Sequence, residues 1–306
     1  MSSTARIASY REVMVPLDGS QFAEQALPYA EAVVRRTGAR LVLVRVHELP
    51  IGADGVALDP QMDEEFRERS REYLGRIADE VASRLGVAVQ TRMLVGRAAA
   101  MLERAAREGE VDMVVMSTHG RGGFERVWLG SVADEVVRCL EVPVLLVRPR
   151  NDGDASRRAT FDRILVALDG SVLSEQILPH ASALGLPGRT QYTLVRVVPP
   201  ELVVGGHVFR LDEERARELV NRAEAYLGGV ASALRPRAGE VRTHAIKHAA
   251  PAVAILDAAR ADGSDLIAMT THGYGGLKRL LLGSTADKVV RAADIPVMLL
   301  RPGSRG

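Results

Sequence analysis

The chain has 306 residues, 47% of them hydrophobic and 26% charged, which excludes a disordered chain and suits two domains of ordinary size. A formal net charge of +1 gives no general pull toward nucleic acid or acidic membrane, so neither is expected as a partner. Aromatic residues make up only 4%, so the cores must be built from Val, Leu, Ile and Ala, and a single cysteine excludes an internal disulfide.

Taken in chain order, short β-branched runs alternate with longer amphipathic ones. The N-terminal stretch MSSTARIASYREVMV has no apolar leader-like region, and no run reaches membrane-spanning length, so a cytoplasmic protein is the expectation. EVMVPL (12–17) predicts a strand, and Ser20 to about Arg36 a helix that Pro28 either kinks or breaks early. RLVLVRV is a strand, followed by a loop and a helix from about Asp63 to Leu85. There Phe66, Leu74, Ile77, Val81 and Leu85 fall on helical spacing. VAVQTRML predicts the third strand, Ala98–Glu108 a helix and DMVVMS the fourth strand. Ser131–Leu140 is then a helix and PVLLVRP the last strand. Cys139 lies in that last helical pattern and reads as a buried thiol. Continuous apolar strands alternating with helices imply an open, doubly wound α/β domain with a five-stranded parallel sheet.

The whole pattern then repeats. VMVPLDGSQFAEQALPYA (13–30) matches ILVALDGSVLSEQILPHA (164–181), DMVVMSTHG matches DLIAMTTHG, and EVPVLLVRP matches DIPVMLLRP, in the same order. The period is a whole domain, far longer than a solenoid repeat. Two tandem copies are expected, over 1–149 and 161–306, with the polar stretch 150–160 as a linker.

In such sheets ligands bind beyond the C-terminal strand ends, where the strand order reverses. Two loops in each copy have suitable chemistry there. The first carries Asp18-Gly19-Ser20, repeated as Asp169-Gly170-Ser171, and a strand-end Asp can accept from ribose hydroxyls. The second, THGRGGFERVWLGS (118–131), recurs as THGYGGLKRLLLGS (271–284). Glycines allow close backbone approach, and a helix starting at Gly130-Ser131 offers free N–H groups to an anion. Plain structural readings stand beside these. Ser131 with Asp134, and Ser284 with Asp287, fit a capping box, and Asp-Gly-Ser fits a turn and helix cap. His119 and His272 have no partner spacing that suggests a metal, and Arg121, Arg126, Lys278 and Arg279 fit a solvated face.

These openings, endings and glycine loops resemble a tandem universal stress protein, over essentially the whole chain outside its N-terminal tail and linker. The signature of the ATP-binding branch is Gly, two residues, Gly, nine residues, then Gly-Ser or Gly-Thr. Here the second glycine is Gly120 or Gly273, and the closing pairs are Gly130-Ser131 and Gly283-Ser284. The first glycine is replaced by Ser117 and by Thr270. The resemblance implies an adenine nucleotide: ATP, with magnesium, and AMP or ADP as alternatives. It places Pro16, Leu17 and Asp18 (Ala167, Leu168 and Asp169) at the ribose, and the backbones of Val46 and Val197 at the adenine edge. Gly96 lies close to the site, with Ala249 in the equivalent place, which favours the first copy. Ser117, His119, Gly120, Arg121, Gly130, Ser131 and Val132 complete the phosphate cradle. In the second copy the set is Thr270, His272, Gly273, Tyr274, Gly283, Ser284 and Thr285. The segments ELPIGADGVALDPQ and PPELVVGGHVF are expected as nearby flexible covers. The resemblance also implies that the last strands, Val144–Val147 and Val297–Leu300, pair the copies into an intramolecular pseudo-dimer. That pairing would cover two exposed edges, and a homodimer of the whole chain is compatible with it.

A nucleotide-binding stress or signalling protein, with slow ATP hydrolysis at most, is the leading reading. A scaffold of the same fold that binds no nucleotide is the alternative. No Walker loop, no Ser-His-Asp arrangement and no evident general base supports an enzyme.

Overall fold

The computed structural model describes residues 7–48, 60–108, 111–120, 129–149, 159–204, 207–210, 212–271 and 282–303. The chain divides into two compact units, Tyr10–Ala159 and Thr160–Gly306, the latter together with the residues before Tyr10. The Ala8 N–H donates to the Pro179 carbonyl at 3.1 Å within that second grouping.

The first unit contains β1 (Glu12–Pro16), α1 (Gln21–Glu24), α2 (Leu27–Thr37), β2 (Arg40–His47), α3 (Pro60–Leu85) and β3 (Val89–Val95). It continues with α4 (Ala98–Arg107), β4 (Met113–Ser117), α5 (Ser131–Cys139) and β5 (Val144–Val147). Its strands are parallel and run in the order β3-β2-β1-β4-β5. Helix α2 packs on α3 and α4 on α5, the pairing expected when helices cover both faces of a sheet. Because both faces are covered, β1, β4 and β5 are buried nearly throughout, with Val13, Met14, Val15, Val114, Val115 and Leu145 fully enclosed.

The second unit contains β6 (Arg163–Ala167), α6 (Val172–Glu175), α7 (Leu178–Leu184), β7 (Gln191–Val198), β8 (Glu201–Val204), β9 (His207–Arg210), α8 (Glu213–Leu234), β10 (Glu240–Lys247), α9 (Pro251–Ala261), β11 (Leu266–Thr270), α10 (Ser284–Ala292) and β12 (Val297–Leu300). Its parallel strands run β10-β7-β6-β11-β12, the same order as in the first unit. The segment expected as a flexible cover includes β8 and β9, an antiparallel two-stranded ribbon. Residues 49–59, the corresponding stretch of the first copy, lie outside the described residues.

Pro28 and Pro179 break their helices rather than kink them. Each stands in the first turn of a second helix, α2 or α7, where a missing N–H costs nothing. Ser20 and Ser171 cap the short helices before the break, their hydroxyls accepting from Ala23 N (3.2 Å) and Ser174 N (3.1 Å). Cys139, expected buried, is half-exposed at the end of α5. Among the described residues no helix is long and apolar enough to cross a membrane.

Candidate functional site

In both units the strand order reverses between the first and fourth strands, so the two loops singled out by composition leave adjacent strand ends. The first loop is fixed by its own side chains. The Asp18 Oδ1 accepts from Ser20 N at 2.9 Å and from Ser20 Oγ at 2.6 Å, and Asp169 repeats both bonds with Ser171 at the same distances. Between them Gly19 (φ 85°) and Gly170 (φ 89°) take the left-handed backbone that a side chain disfavours. The turn-and-cap reading of Asp-Gly-Ser is therefore correct, and it occupies only one carboxylate oxygen in these bonds. The other, Oδ2, faces Gly120, where a Cβ would lie 2.2 Å from it. A glycine is needed at 120 because the Asp18 carboxylate fills the space beside it.

The second loop closes on itself in the same way in each copy. Gly130 N donates to the Thr118 carbonyl at 2.8 Å, and Gly283 N to the Thr271 carbonyl at 3.0 Å. The capping-box reading of Ser131 and Ser284 is corrected here. Gly130 and Gly283 are the N-caps, so each serine stands one position later, inside the helix. Asp134 and Asp287 turn instead to Arg138 and Arg291, at 2.9 Å and 2.8 Å. The exposed Ser131 and Ser284 thus leave the first turns of α5 and α10 without a side-chain cap.

In the first unit these loops border a cavity of about 420 Å³. Of the residues expected at a ligand, Pro16, Leu17, Asp18, Val46, Ser117, His119, Gly120, Gly130, Ser131 and Val132 line it. Sequence reading missed Val44, Ala98, Leu102, Met116, Ala23, Thr118 and Ala133, which complete the lining. Val44 and Val46 could have been found together, since alternate residues of a strand share a face. Ala98 and Leu102 are one helical turn apart on α4. Ser117 is buried, and its Oγ accepts from His119 N at 3.3 Å. The Thr118 hydroxyl and His119 Nδ1 lie 2.9 Å apart. Arg121 lies outside the described residues.

Gly96 does not line the cavity. Its left-handed backbone (φ 137°) turns the chain into α4, and a Cβ there would meet the Met101 side chain at 3.2 Å. Its counterpart is also not Ala249. Gly96 N donates to the His47 carbonyl at 3.0 Å, and His248 N to the Val198 carbonyl at 3.1 Å, so His248 holds the equivalent register. The second copy then takes one more residue to reach its helix, Ala250 N donating to His248 Nδ1 at 2.9 Å on the way.

Ala167 ends β6 and Leu168 and Asp169 follow it, Val197 is near the end of β7, Thr270 ends β11, and Gly283, Ser284 and Thr285 open α10. Strands β6 and β11 are neighbours, so this set converges on one end of the sheet. His272, Gly273 and Tyr274 lie outside the described residues.

A further group repeats beneath the first loop. The buried Arg45 guanidinium lies 5.3 Å from the Phe66 ring and 5.2 Å from the Tyr73 ring, and the Tyr73 hydroxyl donates to Glu24 Oε1 at 2.8 Å. Burial, then the bond to Glu24, hold the Tyr73 phenol protonated well above its ordinary range; Asp18 adds to this and Arg45 opposes it. In the second unit Arg196 lies 5.2 Å from the Tyr226 ring. Burial and the Glu175 carboxylate raise that phenol too.

These features define an α/β domain pair with a ligand-sized cavity at the strand-order reversal of its first member. The universal stress protein family model matches residues 9–148 and again 160–301, and the chain belongs to that family. A universal stress protein of Mycolicibacterium smegmatis is 27% identical over 302 residues, covering 95% of this chain and 97% of its own. A putative universal stress protein of Staphylococcus haemolyticus is 34% identical over 142 residues, 46% of this chain and 86% of its own. Among solved structures, a universal stress protein from Archaeoglobus fulgidus superimposes with a TM-score of 0.68 at 20% identity, covering 95% of this chain and 98% of its own.

Proposed function

We propose that the first unit binds an adenine nucleotide, ATP with magnesium, in the cavity between β1 and β4. Occupancy of that site would then serve a cytoplasmic stress or signalling role, and the second unit would offer a weaker, equivalent site. The observation that carries this reading is the cavity itself, because its two sides differ in chemistry. Val44, Val46, Leu102 and Met116 supply an apolar wall for a base. The uncapped first turn of α5 and the glycine backbone at 120 supply donors for phosphate. Asp18 Oδ2 stands beside them to accept from ribose hydroxyls. Magnesium would arrive with the phosphates. AMP or ADP would keep the base and ribose contacts and lose part of the phosphate set.

Two measurements test the reading. Mass spectrometry of small molecules released by denaturing native protein should find an adenine nucleotide. Calorimetry should show binding of ATP with magnesium. No heat and no thermal stabilisation at millimolar ATP would leave the scaffold role in its place. Ser117 and Thr270 sharpen the result. Ser117→Gly should weaken ATP by roughly tenfold or more if the hydroxyl donates to phosphate, and leave affinity equal or better if it only crowds the site.

A further inference from the structure

We infer that the arginine of the second strand, Arg45 in the first copy and Arg196 in the second, is a positioning residue for the first-loop aspartate. The inference rests on the nucleotide reading above and names a residue that acts on its ribose contact. The geometry is most direct in the second unit. A Cβ on Gly170 would lie 2.6 Å from the Arg196 Cζ, so the guanidinium packs against the backbone of the residue that follows Asp169. The same guanidinium covers the Tyr226 ring at 5.2 Å. In the first unit Arg45 is held between the Phe66 and Tyr73 rings of α3. Tyr73 in turn bonds to Glu24 of α1, the helix that Ser20 caps and whose cap residue holds Asp18. In the first unit contacts thus run from the Arg45 cation through Tyr73 and Glu24 to the helix whose cap holds Asp18, and in the second the Arg196 guanidinium meets the turn directly. The parts recur together: Glu24, Arg45 and Tyr73-Leu74-Gly75 in one copy; Glu175, Arg196 and Tyr226-Leu227-Gly228 in the other. A planar, permanently charged group suits this place because it can stack on a ring and face carboxylates at once. Arg45 does not line the first unit's cavity, since β2 turns Val44 and Val46 toward it and Arg45 away.

The test compares ATP with 2′,3′-dideoxy-ATP on the full chain by calorimetry. The wild-type protein should prefer ATP by roughly tenfold or more, the worth of hydrogen bonds from ribose to a carboxylate. Arg45→Gln with Arg196→Gln should bring that ratio close to one while leaving dideoxy-ATP affinity within about twofold. The paired Lys variants should recover part of the ratio, and paired Tyr73→Phe and Tyr226→Phe should lower it to an intermediate value. A variant that weakens both nucleotides equally, or keeps the wild-type ratio, overturns the positioning role and leaves nucleotide binding standing. If the Gln pair fails to fold, the Lys and Phe pairs decide by the same ratio. A wild-type protein that binds neither nucleotide overturns the underlying reading, and this inference with it.

Discussion

In the first copy the second strand ends Val46-His47 and Glu48 follows; in the second it ends Val197-Val198 and Pro199 follows. The difference shows how duplicated domains diverge. His47, buried beside the Phe66 ring at 4.8 Å, bonds through Nε2 to Asp63 near the start of α3. That bond, followed by the Arg67 charge, holds the Asp63 carboxyl below its usual range. Val198 can make no such tie. Helix α8 is started instead by Asp212, whose side chain accepts from Arg215 N at 2.7 Å, with the β8–β9 ribbon before it. The fourth and fifth strands are buried along their whole length in both copies and the Asp-Gly-Ser turns make the same bonds, because residues there pack on both sides or close a turn. The links into the helices have one constraint each, and each copy meets it with a different pair of residues.

The largest expected effect tests whether the two sites are equal. Gly130→Trp places an indole at the N-cap, where even a Cβ would stand 3.1 Å from the Thr118 carbonyl, and it should abolish nucleotide binding in the first unit. Gly283→Trp should remove only the weaker site. The expected asymmetry comes from the longer, His248-containing turn into α9, in place of Gly96-Arg97. Equal loss of calorimetric stoichiometry from the two variants would refute it.

A smaller effect separates the copies by pH. Tyr29 in α2 corresponds to His180 in α7, and burial pushes the His180 imidazole down from 6.5 to about 4. Above 6.5 the ring is neutral in both the folded and unfolded states, and stability is complete. As pH falls from 6.5 toward 4 the unfolded chain takes up a proton that the folded ring refuses, so stability is lost across that window. The whole difference is on the order of 3 kcal/mol. His180→Tyr installs the first copy's residue and should flatten the fall in melting temperature between neutral pH and about pH 5. An unchanged pH profile would show that His180 is not the acid-sensitive group.

Much of this was legible before any coordinates. Asp18, Gly120 and Gly130, which line the cavity, stand out in the sequence because strand-end loops announce themselves by local composition, and duplication displayed each one twice. The apolar wall was harder. Leu102 and Met116 look like ordinary core residues, and only the packing of α4 over β2 turns them into a lining. Gly96 was misplaced for a related reason. A glycine near a site suggests contact, whereas this one bends the backbone and lets Met101 pack behind it. Counting along the two sequences also paired it with Ala249, because the extra residue before α9 shifts the register by one. Arg45 escaped attention because a lone arginine in an apolar strand declares nothing until α3 brings two rings to it.

The smallest effect is the most specific to the comparison. Glu48 Oε1 accepts from the Ala98 N–H at 2.8 Å, which satisfies one of the free donors at the start of α4. In the second copy both partners are prolines, Pro199 and Pro251, so neither the acceptor nor the donor is present. Glu48→Ala alone should therefore cost roughly 0.5–1 kcal/mol, the lower range for a lost cap on an exposed residue. Ala98→Pro should be tolerated, because proline is favoured in a first helical turn and Arg97 before it already has the extended backbone a proline requires (φ −66°, ψ 130°). With proline at 98 there is no N–H left to satisfy, and Glu48→Ala should then cost nothing. The four proteins form a double-mutant cycle in chemical denaturation, with an expected coupling of about 0.5–1 kcal/mol. A coupling near zero would mean that Glu48 caps nothing of consequence. The paired prolines of the second copy would then be independent replacements rather than a matched exchange.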